Sequence, residues 1–499
     1  MTKVDILIVG AGHNGLVAGA YLAKAGRKVQ VLERRDVAGG QLQGQHPGSP
    51  GLHSSAQLRP DIVRTLGLAQ HGLPAAAGDA VYVAPHAEGG ELRMRSTADD
   101  AATLESIRRL SARDAERWPE FVRFMNAAAG FLDAAYGTAM PRLPRVDWRR
   151  DGLPLAALAL RLRRLGGKDM FRVIRSLSMS AIEFTEEWFE SEPLKAAIGA
   201  LAVHGVTIGS MSAGGGLVLI HHWLNRGGLA HRPVPGGTQA VAAALVAALR
   251  AHGGELRTST PVAGILVDRQ RITGVRLADG EEIQAPIVVS AADPRHTLLD
   301  LVGAPELPPE FVWHAQSIRM RGSVARLHVA TDGRHGLPDG TLVIGPTLKY
   351  LERAYDAAKY GELSEHPYLE VTTAGPVVSI HYQFAPYHLR GSDWPALRTT
   401  LEARAIATLA RHYPAFAGSV QSVHSITPAD LERTWGLTEG DLNHGQLILD
   451  QVLFMRPMPG WSDHRTPVDG LYLCGSGVHG GGGISGAAGR NAARRLLGG

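Results

Sequence analysis

Residues Val4 to Glu33 constrain this chain more tightly than any other stretch. Asp5-Ile-Leu-Ile-Val-Gly10 is an apolar run of strand length, and Gly10-Ala-Gly-His-Asn-Gly15 follows without a break. Leu16 to Ala25 is rich in Ala and Leu and long enough for a helix, which Gly26 can close. Lys28-Val-Gln-Val-Leu-Glu33 reads as a second strand ending in a carboxylate. This order predicts a βαβ unit and, with it, a parallel sheet.

The glycine spacing is that of a dinucleotide loop. Gly10 permits the tight turn, Gly12 lets the backbone approach a pyrophosphate, and Gly15 lets the helix lie close to the sheet with its N-terminus toward the phosphates. Glu33, about 20 residues on, is placed to accept hydrogen bonds from an adenosine ribose. Arg34 and Arg35 could grip a 2′-phosphate, but Glu33 would repel it. That argues against NADP and leaves FAD or NAD.

A chain of 499 residues exceeds one compact core, so two or three domains are expected. A net charge of +4 is small for this length and does not call for a nucleic-acid partner. The single cysteine, Cys474, cannot build a disulfide framework, a zinc cluster or a redox pair, which excludes a flavin-type thiol–disulfide reductase. The chain enters its fold by residue 4, leaving no room for a signal peptide. The weakly polar run Ala196–Ile220 is interrupted by His204, Thr207, Ser210 and Ser212, so no membrane span is expected. A cytoplasmic protein is the expectation.

No third parallel strand directly follows Glu33, as it would in a simple NAD dehydrogenase. A glycine-rich passage leads instead through Gly51-Leu-His-Ser-Ser-Ala-Gln-Leu-Arg-Pro60, which could pass over a cofactor, to a short helix at Ile62–Leu66. A hairpin is predicted at Val81–Ala84 and Leu92–Met94, and amphipathic helices over Asp99–Leu132. Residues 153–165 form a basic amphipathic helix, a pattern that can rest on a membrane surface but is more often packed on its own domain, the reading favoured here. His221 and His222 are adjacent and diverge around a helix, so joint metal ligation is not expected. A helix over Ala240–His252 precedes strands at Gly264–Asp268, Ile272–Leu277 and Glu282–Ser290, and Asp293 with Pro294 starts another helix. Strands are expected at Ser323–Ala330 and Val377–Gln383, and a helix over 396–412. The aromatics Tyr382, Phe384 and Tyr387 read as core. Finally Asp469–Cys474 is a strand, Gly475–Ala487 a loop dense in glycine, and Ala488–Leu497 a helix. No acid follows this second glycine loop, so it is not a second dinucleotide site.

Taken together, Val9-Gly-Ala-Gly-His-Asn-Gly-Leu16, Glu33, Gly39-Gly40, Pro235-Gly-Gly237, Val289–Pro294, Asp450-Gln451, Phe454-Met-Arg-Pro457 and Gly470–Gly475 resemble flavoproteins of the phytoene desaturase and carotenoid isomerase type, within the amine-oxidase-like FAD superfamily. The likeness spans the full length and is closest to bacterial members described loosely as pyridine-nucleotide-disulphide oxidoreductase-domain proteins. It implies an α/β fold. A discontinuous, glutathione-reductase-like Rossmann domain for FAD would be built from 1–75, 232–300 and 440–499. An α+β substrate-binding domain would come from 76–231 and 301–439. Carried over by position, Gly10, Gly12, Asn14 and Gly15 surround the pyrophosphate, and Glu33 takes the ribose with Arg34 beside it. Gly39 and Gly40 lie along the cofactor, and Val262 meets adenine through its backbone. Gly475 and Ser476 approach the pyrophosphate and ribityl chain. Gly483, Ile484 and Ser485 bring the last helix N-terminus to the flavin, where its dipole favours the anionic reduced ring. Many relatives carry an acid where Ser476 stands.

The expected chemistry is oxidation of a small or elongated apolar substrate by hydride transfer to the flavin, with oxygen or a membrane quinone as final acceptor. His53, His479, His221 and His222 are the candidate proton-transfer groups, the first two foremost; no metal is expected. The rivals are a redox-neutral double-bond isomerase and a non-enzymatic binding protein of the GDP-dissociation-inhibitor kind. Contact with a membrane through residues 153–165 is the one macromolecular association left open.

Overall fold

Strand β1 (Ile6–Val9), helix α1 (His13–Lys24) and strand β2 (Val29–Leu32) form the βαβ unit in a computed structural model that describes residues 4–45, 49–75, 80–86, 89–142 and 146–498. All four side chains of β1 are buried, each contributing about 1.5–3 kcal/mol relative to exposure. Helix α1 is buried from His13 through Ala23, because a sheet lies under one side and two helices over the other. Those helices are Gly237–Ala251 and the closing helix Ala487–Leu496.

The sheet containing β1 has five parallel strands, in the order Leu471–Leu473, Ile287–Ser290, β1, β2 and Glu255–Arg257. Its strands therefore come from the beginning, middle and end of the chain. A three-stranded antiparallel sheet of Val262–Asp268, Arg271–Leu277 and Glu282–Gln284 stands beside it. The single strand expected over Glu282–Ser290 is thus two strands in different sheets. Pro286, which has no N–H to continue a ladder, separates the part paired with Arg276 from Ile287, which pairs with Ile6.

The two intervening stretches meet in a seven-stranded sheet, ordered Val420–Ile426, Val324–Thr331, Val377–Gln383, Tyr368–Ala374, Thr341–Ile344, Tyr82–His86 and Gly90–Met94. The expected boundary at 75/76 adjoins residues 76–79, which lie outside the described residues. Tyr82–His86 joins Thr341–Ile344 in parallel, fusing the earlier and later segments. Tyr382 and Phe384 are fully buried, as core aromatics should be. Helices from 101 to 226 pack over one side around Trp118, Phe121, Phe184 and Trp223.

One helix packs on its own domain along only part of its length. Trp148–Arg163 buries only Asp151, while Trp148 is 74% and Leu153 82% exposed. Leu162 packs against the helical core and Pro154, Ala157 and Leu158 face a cavity beneath the helix, while Asp151 is held by the Asp147 backbone N–H at 3.1 Å and by Arg150 at 2.7 Å. Among the described residues no helix is long and apolar enough to cross a membrane.

Candidate active site

The C-terminal ends of β1 and β2 open into a cavity of about 320 Å³. Gly10, Gly12, Asn14, Gly15, Glu33, Arg34, Gly40, Val262 and Ser476 all line it. Glu33 is fixed by two backbone donors, Ala11 N–H to Oε2 at 2.8 Å and Arg35 N–H to Oε1 at 3.0 Å. A Cβ on Gly15 would sit 2.1 Å from the Gly10 carbonyl oxygen, so only glycine lets α1 start where it does. Arg34 donates to the Thr434 carbonyl at 2.8 Å, and Arg35 to the Gly44 carbonyl at 2.6 Å. Both guanidiniums are therefore engaged by protein, consistent with a ribose bearing no 2′-phosphate.

The last strand and its glycine loop complete this wall. Asn14 Nδ2 donates to Ser476 Oγ at 3.3 Å, and Gly489 N–H donates to Asn14 Oδ1 at 3.3 Å, which ties α1 to the closing helix. A Cβ on Gly489 would stand 2.2 Å from the Asn14 carbonyl oxygen. Gly475 packs on the backbone of Ala291 and Ala292, and Gly39 N–H donates to the Ala11 carbonyl at 2.8 Å. Neither lines the cavity directly. Ser485 is buried, its hydroxyl accepting from Ala487 N–H at 3.3 Å in front of the closing helix. Two buried ring nitrogens, His13 Nε2 and His444 Nδ1, have no partner although both residues face the cavity. Unmet polar atoms, a glycine turn that excludes Cβ and a carboxylate held for a ribose fit the adenine-dinucleotide half of FAD.

A second, smaller cavity of about 70 Å³ is lined in part by His53, Leu442 and Asn443, and hydrogen bonds of Gln41 with His53 and Leu442 link it to the first. Gly483 and Ile484 line it, with His53, His204, His222, His231, His381, Arg226, Arg326 and Glu370. His53 Nε2 meets Gln41 Oε1 at 2.7 Å while Gln41 Nε2 donates to the Leu442 carbonyl at 2.9 Å. The amide orientation makes His53 Nε2 the donor and leaves its Nδ1 an acceptor. Burial, with Arg326 adding to it, holds His53 well below the usual imidazole range, so it is neutral. His222 Nε2 donates to the His204 carbonyl at 2.8 Å and is likewise neutral through burial.

The sequence and the fold are similar to those of known proteins. The family of flavin-containing amine oxidoreductases matches residues 15–382. Pyridine nucleotide-disulfide oxidoreductase domain-containing protein 2 of Rattus norvegicus is 34% identical, the match covering 98% of this chain and 93% of that one. The chain belongs to the flavin-containing amine oxidoreductase family. It is also 25% identical to a lycopene-forming phytoene desaturase of a Paracoccus species, over 97% of this chain and 95% of the other. An oxidoreductase from Methanosarcina mazei shares the fold, with a TM-score of 0.61, 15% identity and coverage of 99% and 100%. This member of the family is an FAD-dependent oxidoreductase, and the non-enzymatic alternative falls away.

Within this enzyme the four histidines singled out from sequence do not share a place. His53 and His222 face the second cavity. His221 is buried behind it, its Nδ1 at 2.7 Å from the Tyr136 hydroxyl and its Nε2 at 2.9 Å from Asn225 Nδ2. His479 binds the carbonyls of Ala135 and Thr138 at 3.2 and 3.0 Å and lines a third cavity of about 690 Å³, under helix Trp148–Arg163. Two neighbours, Gln41 and the Arg226–Glu370 pair, were missed from sequence. Arg226 donates to both oxygens of Glu370, at 2.7 and 3.3 Å, and His231 approaches Oε1 at 2.7 Å. Burial alone would raise Glu370, but Arg226 with His204 and His231 pulls it well below the carboxylate range. His204, His231 and Glu370 have metal-ligand spacing. With Arg226 on both carboxylate oxygens, however, the group is already charge-balanced as an ion pair.

Proposed function

We propose that the enzyme dehydrogenates a substrate that is largely apolar around the reacting carbon. A hydride and a proton leave adjacent atoms, and a C=C or C=X bond forms. FAD, when bound, accepts the electron pair. His53 takes the proton at Nδ1, since Gln41 occupies Nε2 and burial keeps the ring neutral. The fixed tautomer of His53, which lines the second cavity and is hydrogen-bonded to Gln41 of the first, is the observation that carries this reading. Leu52, Leu442 and Ile484 supply the apolar wall and exclude water.

The test begins with the visible spectrum of the purified protein, followed by anaerobic addition of polyenes, amines and alcohols. Bleaching of bound flavin by one of them supports dehydrogenation. A preparation that never retains FAD sinks the reading. Conversion only after prior flavin reduction, with no net electron use, makes the enzyme an isomerase instead. His53→Asn should lower the rate of flavin reduction by roughly 10²–10⁴-fold at unchanged FAD content.

We further propose a membrane quinone as electron acceptor, with helix Trp148–Arg163 resting on the anionic surface. Trp148, Leu153 and Leu160 on this helix, and Phe171 and Ile174 on the next, Gly167–Ser176, are exposed among Arg149, Arg161, Arg163, Arg164, Lys168 and Arg175, the pattern of an interfacial surface. Leu153→Asp should abolish sedimentation with phosphatidylglycerol vesicles. Sedimentation equal to wild type, or equal binding to uncharged vesicles, would refute the contact.

A further inference from the structure

The second cavity carries an excess of buried positive charge. Its lining holds two guanidiniums, Arg226 and Arg326, against one carboxylate, Glu370, and Arg226 occupies both oxygens of that carboxylate. Its imidazoles, kept neutral by burial, neither offset that charge nor add to it. Arg326 is 3% exposed, and among the described residues no carboxylate pairs with it. Its one hydrogen bond is from Nη2 to Ser54 Oγ at 3.2 Å; Nε is buried with no partner. Burial lowers its pKa to about 10, opposed by Glu370, which leaves it charged at neutral pH.

Packing does not explain an arginine here. Arg326 lies inside Val324–Thr331, a strand that is buried along almost its whole length and apolar on both sides of it. Across the sheet it stands opposite His381, and His381 stands opposite Glu370, so three polar side chains form one row facing the cavity. A buried guanidinium costs free energy unless an anion or a full set of acceptors meets it. Among the described residues the protein offers neither. A guanidinium with open N–H groups presents the fork that matches a carboxylate. Ser54, which it touches, is the residue next to His53.

We infer that Arg326 is the anchor for a carboxylate carried by the substrate, seated beside Ser54 so that the adjoining carbon chain lies against His53. This rests on reading the cavity as the substrate site and adds a specificity to it: the substrate is a carboxylic acid with an apolar remainder, not a neutral hydrocarbon. The cavity, about 70 Å³, holds a head group rather than a whole chain.

The FAD-loaded enzyme is titrated with hexanoate, hexanamide and inorganic phosphate by calorimetry, with the flavin difference spectrum recorded in parallel. Hexanoate should bind at least roughly 10-fold more tightly than hexanamide, as loss of one charge-assisted contact requires. Arg326→Gln should remove that preference and Arg326→Lys keep part of it, with FAD content unchanged in both. The wild-type comparison stands even where a variant misfolds. Equal binding of hexanoate and hexanamide, failure of both to bind, tighter binding of phosphate than of hexanoate, or a preference that survives Arg326→Gln would each overturn the assignment. Carboxylate binding that leaves the flavin spectrum unmoved, in a protein whose flavin no substrate reduces, would instead fault the catalytic reading and spare the anion site.

Discussion

At Gly15 a single hydrogen atom decides whether the cofactor loop can form. A methyl group there would lie 2.1 Å from the Gly10 carbonyl oxygen, and because that neighbour is backbone, the start of α1 must shift. Gly15→Ala should cost about 1–3 kcal/mol and most of the bound flavin; thermal melting and the flavin-to-protein absorbance ratio measure both. Glu33→Arg places a cation where two N–H groups already converge. FAD dissociation should rise by roughly 10–100-fold, and unchanged occupancy would remove Glu33 from its role. The placement of these two residues was legible in the sequence because a local backbone pattern sets it. Arg326 and Glu370 were not. Each looks like a stray charge in an apolar strand, and its meaning depends on a partner two strands away. The sequence does hold one clue, since Val-Ala-Arg-Leu-His-Val-Ala spends two positions of a buried strand on polar side chains.

Among the elements, the terminal glycine loop owes its shape to a residue outside it. Arg456 is buried and donates to the carbonyls of Asn443, Gly445, Gln446, Gln451 and Ser476, at 2.6 to 3.2 Å. It binds the loop to the segment that walls both cavities. Arg456→Met would orphan several buried carbonyls at about 1–3 kcal/mol each. The melting temperature should fall and flavin occupancy with it; a variant that keeps full occupancy would show the clamp to be dispensable. Most elements matched their sequence signals to within a few residues, as at Val377–Gln383 and Trp394–His412. The misread strand has a plain cause: Pro286 ends a ladder inside an apolar run, so one residue outweighs the periodicity around it.

For the molecule as a whole, buried histidines set the response to acid. Burial, the leading cause in each case, lowers His13, His221 and His381 to about 3, and His464 and His479 to about 4. An unfolded chain titrates these rings near 6.5, so between that value and the folded pKa it binds more protons than the native state. Stability is therefore complete above pH 6.5 and is lost as pH falls below it. Each ring contributes about 2 kcal/mol of loss by pH 5. The melting temperature should drop by roughly ten degrees or more between pH 7.5 and 5. A flat profile over that range would mean the rings take up protons while folded.

The five-stranded sheet has a consequence for biosynthesis. Of its strands the innermost, β1, leaves the ribosome before the others, yet its neighbour Ile287–Ser290 emerges some 280 residues later and the edge strand Leu471–Leu473 later still. For most of translation the nascent chain carries a hydrophobic strand with an open edge, the state most exposed to mispairing. Premature termination before residue 471 would thus cost more than a tail. It would strand the earliest-made segment without its sheet, and such products should be cleared by chaperones and proteases rather than persist as a folded fragment.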